Sequence, residues 1–337
     1  MDTLFDIKTY LIKLCVLLSL LTIGCQSSPI NQTVYAATPD SVDLYFGPTM
    51  QQELPTGRNA VYAASLPLAW QAVRKELNLL DGVHTKSADL RMLDVSETVE
   101  STLDEDDYER DITRRGQFLH VKTKQEVNLS FIPSFEDFPQ GLPFDDIIVN
   151  AFGTRGFQNP AYINQLHIAA YRDDNRFILR LTPPQQEHEL FLFKADSAYS
   201  TFQQMYSDLV AACRHEGNDW RHQLTDLDEV VIPKVNFDQH HQFQQFLKAE
   251  FFVRQQKYTI ADATQQIAFE LNEHGVSMKT EAEIIVNDGA FPPAHTPVPK
   301  RLIFDKPFYI VMKKADMESP YFALYIANAT LLEKENI

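Results

Sequence analysis

The 337-residue sequence predicts an α+β fold. Strand-like and helix-like stretches follow one another without the strict alternation of a parallel α/β protein. A hydrophobic content of 44% with 23 Phe supplies a sizeable core. The third observation is the stretch Val276–Val286, which alternates with period two. Val276, Met278, Thr280, Ala282, Ile284 and Val286 fall on one face, and Ser277, Lys279, Glu281, Glu283 and Ile285 on the other. Side chains on a strand point to opposite faces in turn, so this pattern marks a strand half-buried in a sheet. A polar, Pro-rich loop hangs from its end.

Lys8 and Lys13 precede an apolar run from Leu14 to Ile23. The run is too short to span a bilayer and suits the core of a secretory signal. It ends Leu21-Thr22-Ile23-Gly24-Cys25, which resembles a bacterial lipobox with Cys25 as the lipidated first residue of the mature chain. The resulting division is residues 1–24 as signal peptide, 25–57 as a lipid-anchored tether with a first short element, and 58–337 as a single domain. A lipidated Cys25 leaves Cys213 without an intramolecular disulfide partner in the mature chain. Helical spacing among apolar neighbours places Cys213 in packing.

Asn59–Ala64 reads as a short strand. Ser65 suits an N-cap and Pro67 the first turn of a helix whose apolar face carries Leu66, Trp70, Val73, Leu77 and Leu80. Trp70 reads as core. The acidic residues between 95 and 116 match no calcium loop and read as a solvated helix or loop. Strands are predicted over Phe118–Phe131, Ile147–Phe152, Leu166–Tyr171, Arg176–Leu181 and Leu190–Phe193, with Asp173-Asp174-Asn175 as a turn. Tyr199–Cys213 has helical periodicity through Phe202, Met205, Leu209 and Ala212. Val230–Pro233 is a strand, and Phe243, Phe246, Leu247 and Ala249 mark a short helix. Tyr258–Leu271 leads into the alternating stretch, and strands at Phe308–Met312 and Tyr321–Ile326 close the chain.

A net charge of −16 opposes phosphate neutralisation, so no nucleic-acid partner is expected. There is no G-x-S-x-G, no Gly-rich phosphate loop and no C-x-x-C. Adjacent His240 and His241 point apart on a strand, and His215 and His222 lack metal-site spacing. No metal, cofactor or catalytic group is expected, and the chain reads as a non-enzyme.

The C-terminal third resembles the serpins, the family of conformationally trapping protease inhibitors. Asn272-Glu273-His274-Gly275 is similar to that family's Asn-Glu-x-Gly hinge, and Phe304-Asp305-Lys306-Pro307-Phe308 to its segment just after the reactive loop. Tyr321–Asn328 resembles its final core strand. Val231-Ile232-Pro233-Lys234 with Phe237 resembles a strand motif, Asn150-Ala151 with Gly156 an Asn-Ala strand of the central sheet, and the helix at Ser65 the helix after the first buried strand. The motifs occur in the family's order.

The resemblance implies a large central mixed sheet, smaller sheets, a reduced set of helices and a reactive-loop region about 273–303. Its hinge would comprise Glu273, Gly275, Val276, Met278, Thr280 and Ala282. Family spacing puts the scissile bond at Gly289-Ala290, with Asp288-Gly289 and Ala290-Phe291 as rivals. The implied function is inhibition of a serine or cysteine protease by cleavage and insertion of the loop, by a monomer anchored to the bacterial envelope. The alternative is a non-inhibitory serpin-fold binding or scaffold lipoprotein. Several positions depart from the family. Met278-Lys279-Thr280-Glu281 stands where inhibitory members favour small residues, and Gln265 stands where they carry a His. Segments 95–150 and 157–190 are shorter than their counterparts.

Overall fold

In the computed structural model, residues 43–79, 81–96, 101–115, 118–156, 160–183, 187–214, 220–276 and 299–334 are described. β1 (Leu44–Phe46) and β2 (Asn59–Ala63) lead into α1 (Ser65–Leu77), followed by β3 (His84–Thr85) and α2 (Ala88–Asp94). Six strands come next: β4 (Glu109–Arg115), β5 (Phe118–Lys124), β6 (Leu129–Ser130), β7 (Glu136–Phe144) and β8 (Ile147–Arg155), then, after α3 (Pro160–Gln165), β9 (Leu166–Asp173). β10 (Arg176–Leu181) and β11 (His188–Lys194) precede α4 (Phe202–Cys213). The remainder is β12 (Glu229–Pro233), β13 (Val235–Gln242), β14 (Glu250–Val253), β15 (Gln256–Thr259), β16 (Thr264–Asn272), β17 (Gly275–Val276), β18 (Arg301–Ile303), β19 (Phe308–Lys314) and β20 (Phe322–Ile326). The fold is α+β, as the sequence predicts.

The largest sheet is mixed and seven-stranded, in the order β1-β2-β20-β19-β11-β10-β9. Only β1 and β2 run parallel in it. Its centre is covered on both faces, so β20 and the first five residues of β19 are buried without alternation. The β9–β10 connection is the expected turn, closed by Asp173 Oδ1 accepting from the Asn175 N–H at 2.8 Å. α4 begins at a Thr201 cap, whose Oγ1 accepts from the Gln204 N–H at 3.1 Å.

Two four-stranded sheets lie elsewhere, β18-β12-β8-β7 and β13-β16-β17-β6. The hinge residues sit in the second of these sheets. One expectation changes here: Asn150 and Ala151 lie on β8, in the sheet with β12 and β7, and not in the largest sheet. The Asn-Ala pair was too short a signal to fix a sheet, because strands of either sheet are half-buried.

Local differences have local causes. The cap of α1 is Ala64, which makes no side-chain cap bond, and Ser65 is the first helical residue with its side chain engaged by β16. The buried face of α1 is Pro67, Leu68, Trp70 and Ala72, while Leu66, Val73 and Leu77 are half-buried. Leu80 lies outside the described residues. Trp70 is core, and its Nε1 donates to the buried carboxylate of Asp94 at 2.9 Å. Part of the acidic stretch is a strand, β4, because it pairs along its whole length with β5. Asp104 and Asp107 before it hold Lys314 at 2.7 and 2.9 Å. The short helix near Phe243 is a 3-10 turn, Gln244–Phe246. Cys213 is half-buried, and that burial pushes its thiol up to about 11. His241 stacks on Phe46 at 4.8 Å while its neighbour His240 is exposed.

Candidate functional site

β16 alternates strictly, with Gln265, Ile267, Phe269 and Leu271 buried between more exposed positions. It pairs antiparallel with β13 from Thr264 to Asn272. At Glu273-His274 the chain reverses, and Gly275-Val276 returns beside Asn272 and Leu271. The returning segment, β17, pairs on its other side with Ser130 and Leu129 of β6, again antiparallel. β17 therefore enters between two strands that run parallel to each other. Among the described residues, β16 meets a strand on its second side only at Leu271 and Asn272.

The entry point is tightly fitted. Gly275 has φ +146, and a Cβ there would stand 2.0 Å from the Leu129 carbonyl oxygen. Only glycine can let the two backbones approach so closely. Val276 is buried beside Leu271 and Leu129. The reversal is held by its own polar atoms. The Phe131 N–H donates to the His274 carbonyl at 2.8 Å and the Phe135 N–H to the Glu273 carbonyl at 2.9 Å. Asn272 Oδ1 accepts from the His274 N–H at 2.9 Å.

Glu273 makes an ion pair with Lys234, Nζ to Oε2 2.6 Å, and Lys234 also reaches Asp137 at 2.8 Å. Lys234 links β12 to β13, and its backbone is fixed by the Asn150 carbonyl and the Glu333 N–H. Burial pushes the Glu273 carboxyl up, but the Lys234 ammonium outweighs it and holds the group below the ordinary carboxylate range. Burial pulls Lys234 down, yet its bonds to Asp137 and Glu273 hold it above the usual lysine value. A lowered carboxyl contributes stability that is complete above the unfolded value of about 4.3 and is lost as pH falls through its folded value. A raised ammonium contributes below about 10.4 and loses that contribution as pH rises through its folded value. Glu273→Gln is expected to cost about 1–2 kcal/mol at neutral pH and to flatten the acid limb of a urea-midpoint profile. An unchanged acid limb would show that the pair carries no linkage.

The far end of the loop has a second anchor. Lys300, 1% exposed, places Nζ 3.1 Å from Oδ2 of the fully buried Asp228 and 2.8 Å from the Gln223 carbonyl. Asp228 also accepts from the Lys300 and Thr225 backbone N–H groups at 2.7 and 2.9 Å. β18 then runs parallel to β12. Asp228 and Lys234 thus flank the two ends of β12, and each holds one end of the loop.

A third contact lies under the sheet. Gln265 Nε2 donates to Ser65 Oγ at 2.8 Å and to the Ala63 carbonyl at 3.2 Å. From the other side, Thr123 Oγ1 of β5 donates to the Ser65 carbonyl at 2.6 Å. β16 of the hinge sheet and β5 of the two-stranded sheet therefore both come down onto the start of α1.

Of the sequence-predicted site residues, Glu273, Gly275 and Val276 are brought together here. Met278, Thr280, Ala282, Asp288, Gly289, Ala290, Phe291 and Cys25 lie outside the described residues. Sequence reasoning missed Lys234, Asp137, Asp228, Lys300 and Thr123. Lys234 stood inside a strand motif, and only its partner was illegible, because Glu273 is distant along the chain. Among the described residues, no group of three or more His, Cys, Asp and Glu could hold a metal ion.

Neither a family model nor a curated relative matches the chain. Solved structures similar to it include Serpin48 of the insect Tenebrio molitor, at 15% identity and TM-score 0.34, covering 62% of this chain and 55% of that one. Thyroxine-binding globulin with thyroxine is similar at 12% identity and TM-score 0.38, covering 62% and 55%. Human kallistatin is similar at 13% and 0.37, covering 62% and 54%. The chain spans about half the length of these structures.

Proposed function

We propose that this chain is a serpin-like protease inhibitor that acts by cleavage and insertion of the loop beginning at Gly275. One observation carries the reading: β17 enters between β16 and β6, antiparallel to both, while β16 has a free side beyond it among the described residues. The ordered motifs of the C-terminal third support it. A target protease of the serine or cysteine class attacks a carbonyl in the loop. Its nucleophile forms an acyl bond to the residue before the cut, and the new amino terminus leaves with the residue after it. The freed segment extends β17 along β16.

The pairing already present sets what would follow. Continued from Leu271↔Val276, it brings Met278, Thr280 and Ala282 beside Phe269, Ile267 and Gln265, the buried face of β16. Each apolar side chain buried in this way contributes on the order of 1.5–3 kcal/mol. On the same reading Cys25 carries a lipid that holds the protein to the bacterial envelope.

The test is incubation with serine and cysteine proteases. An SDS-stable complex and a cleaved form that melts at least about 10 °C higher are expected, since several kcal/mol shift Tm by this much. Cleavage with neither result would overturn inhibition and favour a non-inhibitory binding protein. In the same preparations, wild type should fractionate with membranes and C25S should not. A soluble wild type would remove the anchor.

A further inference from the structure

We infer that the chain pairs with a second copy of itself through the open edge of β4, the two β4 strands running antiparallel about Ile112. The order of charges along that edge selects this occupant.

β4 and β5 form a sheet of their own, paired over all of β4 from Glu109 to Arg115. The other side of β4 meets no strand among the described residues. Alternate residues of an antiparallel strand turn both backbone groups away from the neighbour. This side therefore offers a row of unpaired N–H and C=O groups. Its exposure agrees, since only Ile112 and Thr113 are even half-buried. β12, β16 and β17 lie in other sheets, so neither anchor of the loop takes part.

The two faces of β4 differ. Thr123 faces α1 through its bond to the Ser65 carbonyl, and Arg110 lies opposite Thr123. Arg110, Ile112 and Arg114 share that face, and Glu109, Asp111, Thr113 and Arg115 point outward. On the outward face the acids come first and the base last. An edge of one sign would repel every copy of itself. This edge repels a parallel copy, which sets Glu109 against Glu109 and Arg115 against Arg115. An antiparallel copy sets Glu109 against Arg115 of the second copy, twice, by the two-fold symmetry. Opposite charges directly across a sheet stabilise it and like charges destabilise it.

The existing β4–β5 register extends the pattern. Across the four joined strands one outward row reads Lys124, Glu109, Arg115, Phe118, and the next Lys122, Asp111, Thr113, His120. Toward α1, Ile112 meets Ile112 on the axis. Arg110 there comes opposite Arg114, and each Arg110 has its own carboxylate, Glu105 at 3.8 Å, to offset the approach. Sliding two residues one way sets Asp111 against Asp111. Sliding the other way leaves only Asp111–Arg115 paired. So short an edge buries little surface, and the dimer is a weak one.

The test is sedimentation of the full chain in detergent, up to about 1 mM, where a Kd of that order still shows. The variants are E109R, R115E and E109R/R115E. Both positions are exposed, so all four proteins should give the same urea midpoint. Wild type should self-associate, less so in high salt. Each single variant alone should associate about tenfold more weakly, and the double should recover. E109R mixed with R115E should also recover, because one then carries two outward bases and the other two outward acids. A wild type that stays monomeric throughout overturns the dimer. Association that is equal in all four proteins also overturns it, since the contact then lies elsewhere, as at the N-terminal apolar run.

Discussion

Lys300→Met is expected to lower the stability of the chain by about 3–5 kcal/mol, because it strands a buried carboxylate. Asp228 is fully buried, and its only cationic partner within the ion-pair distance among the described residues is Lys300, itself 1% exposed. Removing one member of such a pair leaves a charge with neither water nor counter-ion. K300M/D228N removes both charges and keeps one oxygen, which serves only one of the two backbone N–H groups that bond to opposite oxygens of Asp228. It should recover part of the loss. Urea unfolding of the three proteins decides the matter. A single variant as stable as wild type would mean that water reaches Asp228.

Gly275→Ala is expected to cost about 3 kcal/mol, combining strained backbone with a steric clash. The new Cβ would meet the Leu129 carbonyl oxygen at 2.0 Å and the Ser130 Cα at 2.9 Å, and backbone atoms cannot swing aside as a side chain does. The chain would relieve the clash by withdrawing β17, so Val276 would become accessible. Gly57 serves as a control, with φ +72 and nothing within 4 Å of where a methyl group would stand. Gly57→Ala should cost only about 1–2 kcal/mol, the left-handed backbone penalty. Thermal melts with hydrogen exchange at Val276 distinguish the two. Equal losses at both positions would show that strain, not close approach, dominates at Gly275.

Much of the fold was legible because burial imposes a period. Arg176–Leu181, Val230–Pro233 and Phe308–Met312 read as strands from apolar content alone, and Phe202, Met205 and Leu209 mark α4 by helical spacing. The boundaries that moved did so where tertiary contacts compete with local preference. Ser65 looks like a cap, but Gln265 and Thr123 claim its polar atoms, so the helix begins one residue early. Glu109–Arg115 looks like a solvated segment, yet pairing with Phe118–Lys124 makes it a strand. At the site, Gly275 was legible through the resemblance of Asn272-Glu273-His274-Gly275 to a known hinge motif, and the close approach of the Leu129 carbonyl is the physical reason for the glycine. The pairs Lys234–Glu273 and Asp228–Lys300 were not, since no local pattern links residues so far apart in sequence.

Both ends of the loop are tied to β12, a strand of five residues. From Asp228 to Lys234 the span is about 20 Å at ~3.3 Å per residue, whereas the chain from Glu273 to Lys300 could stretch to about 90 Å. The tether is therefore several times longer than the gap it bridges, and a cut anywhere within it releases neither stump. The distal piece carries β19 and β20, the buried centre of the seven-stranded sheet, and cannot leave without unravelling that sheet. A nicked molecule would travel as one particle in native conditions and part into two chains only when denatured.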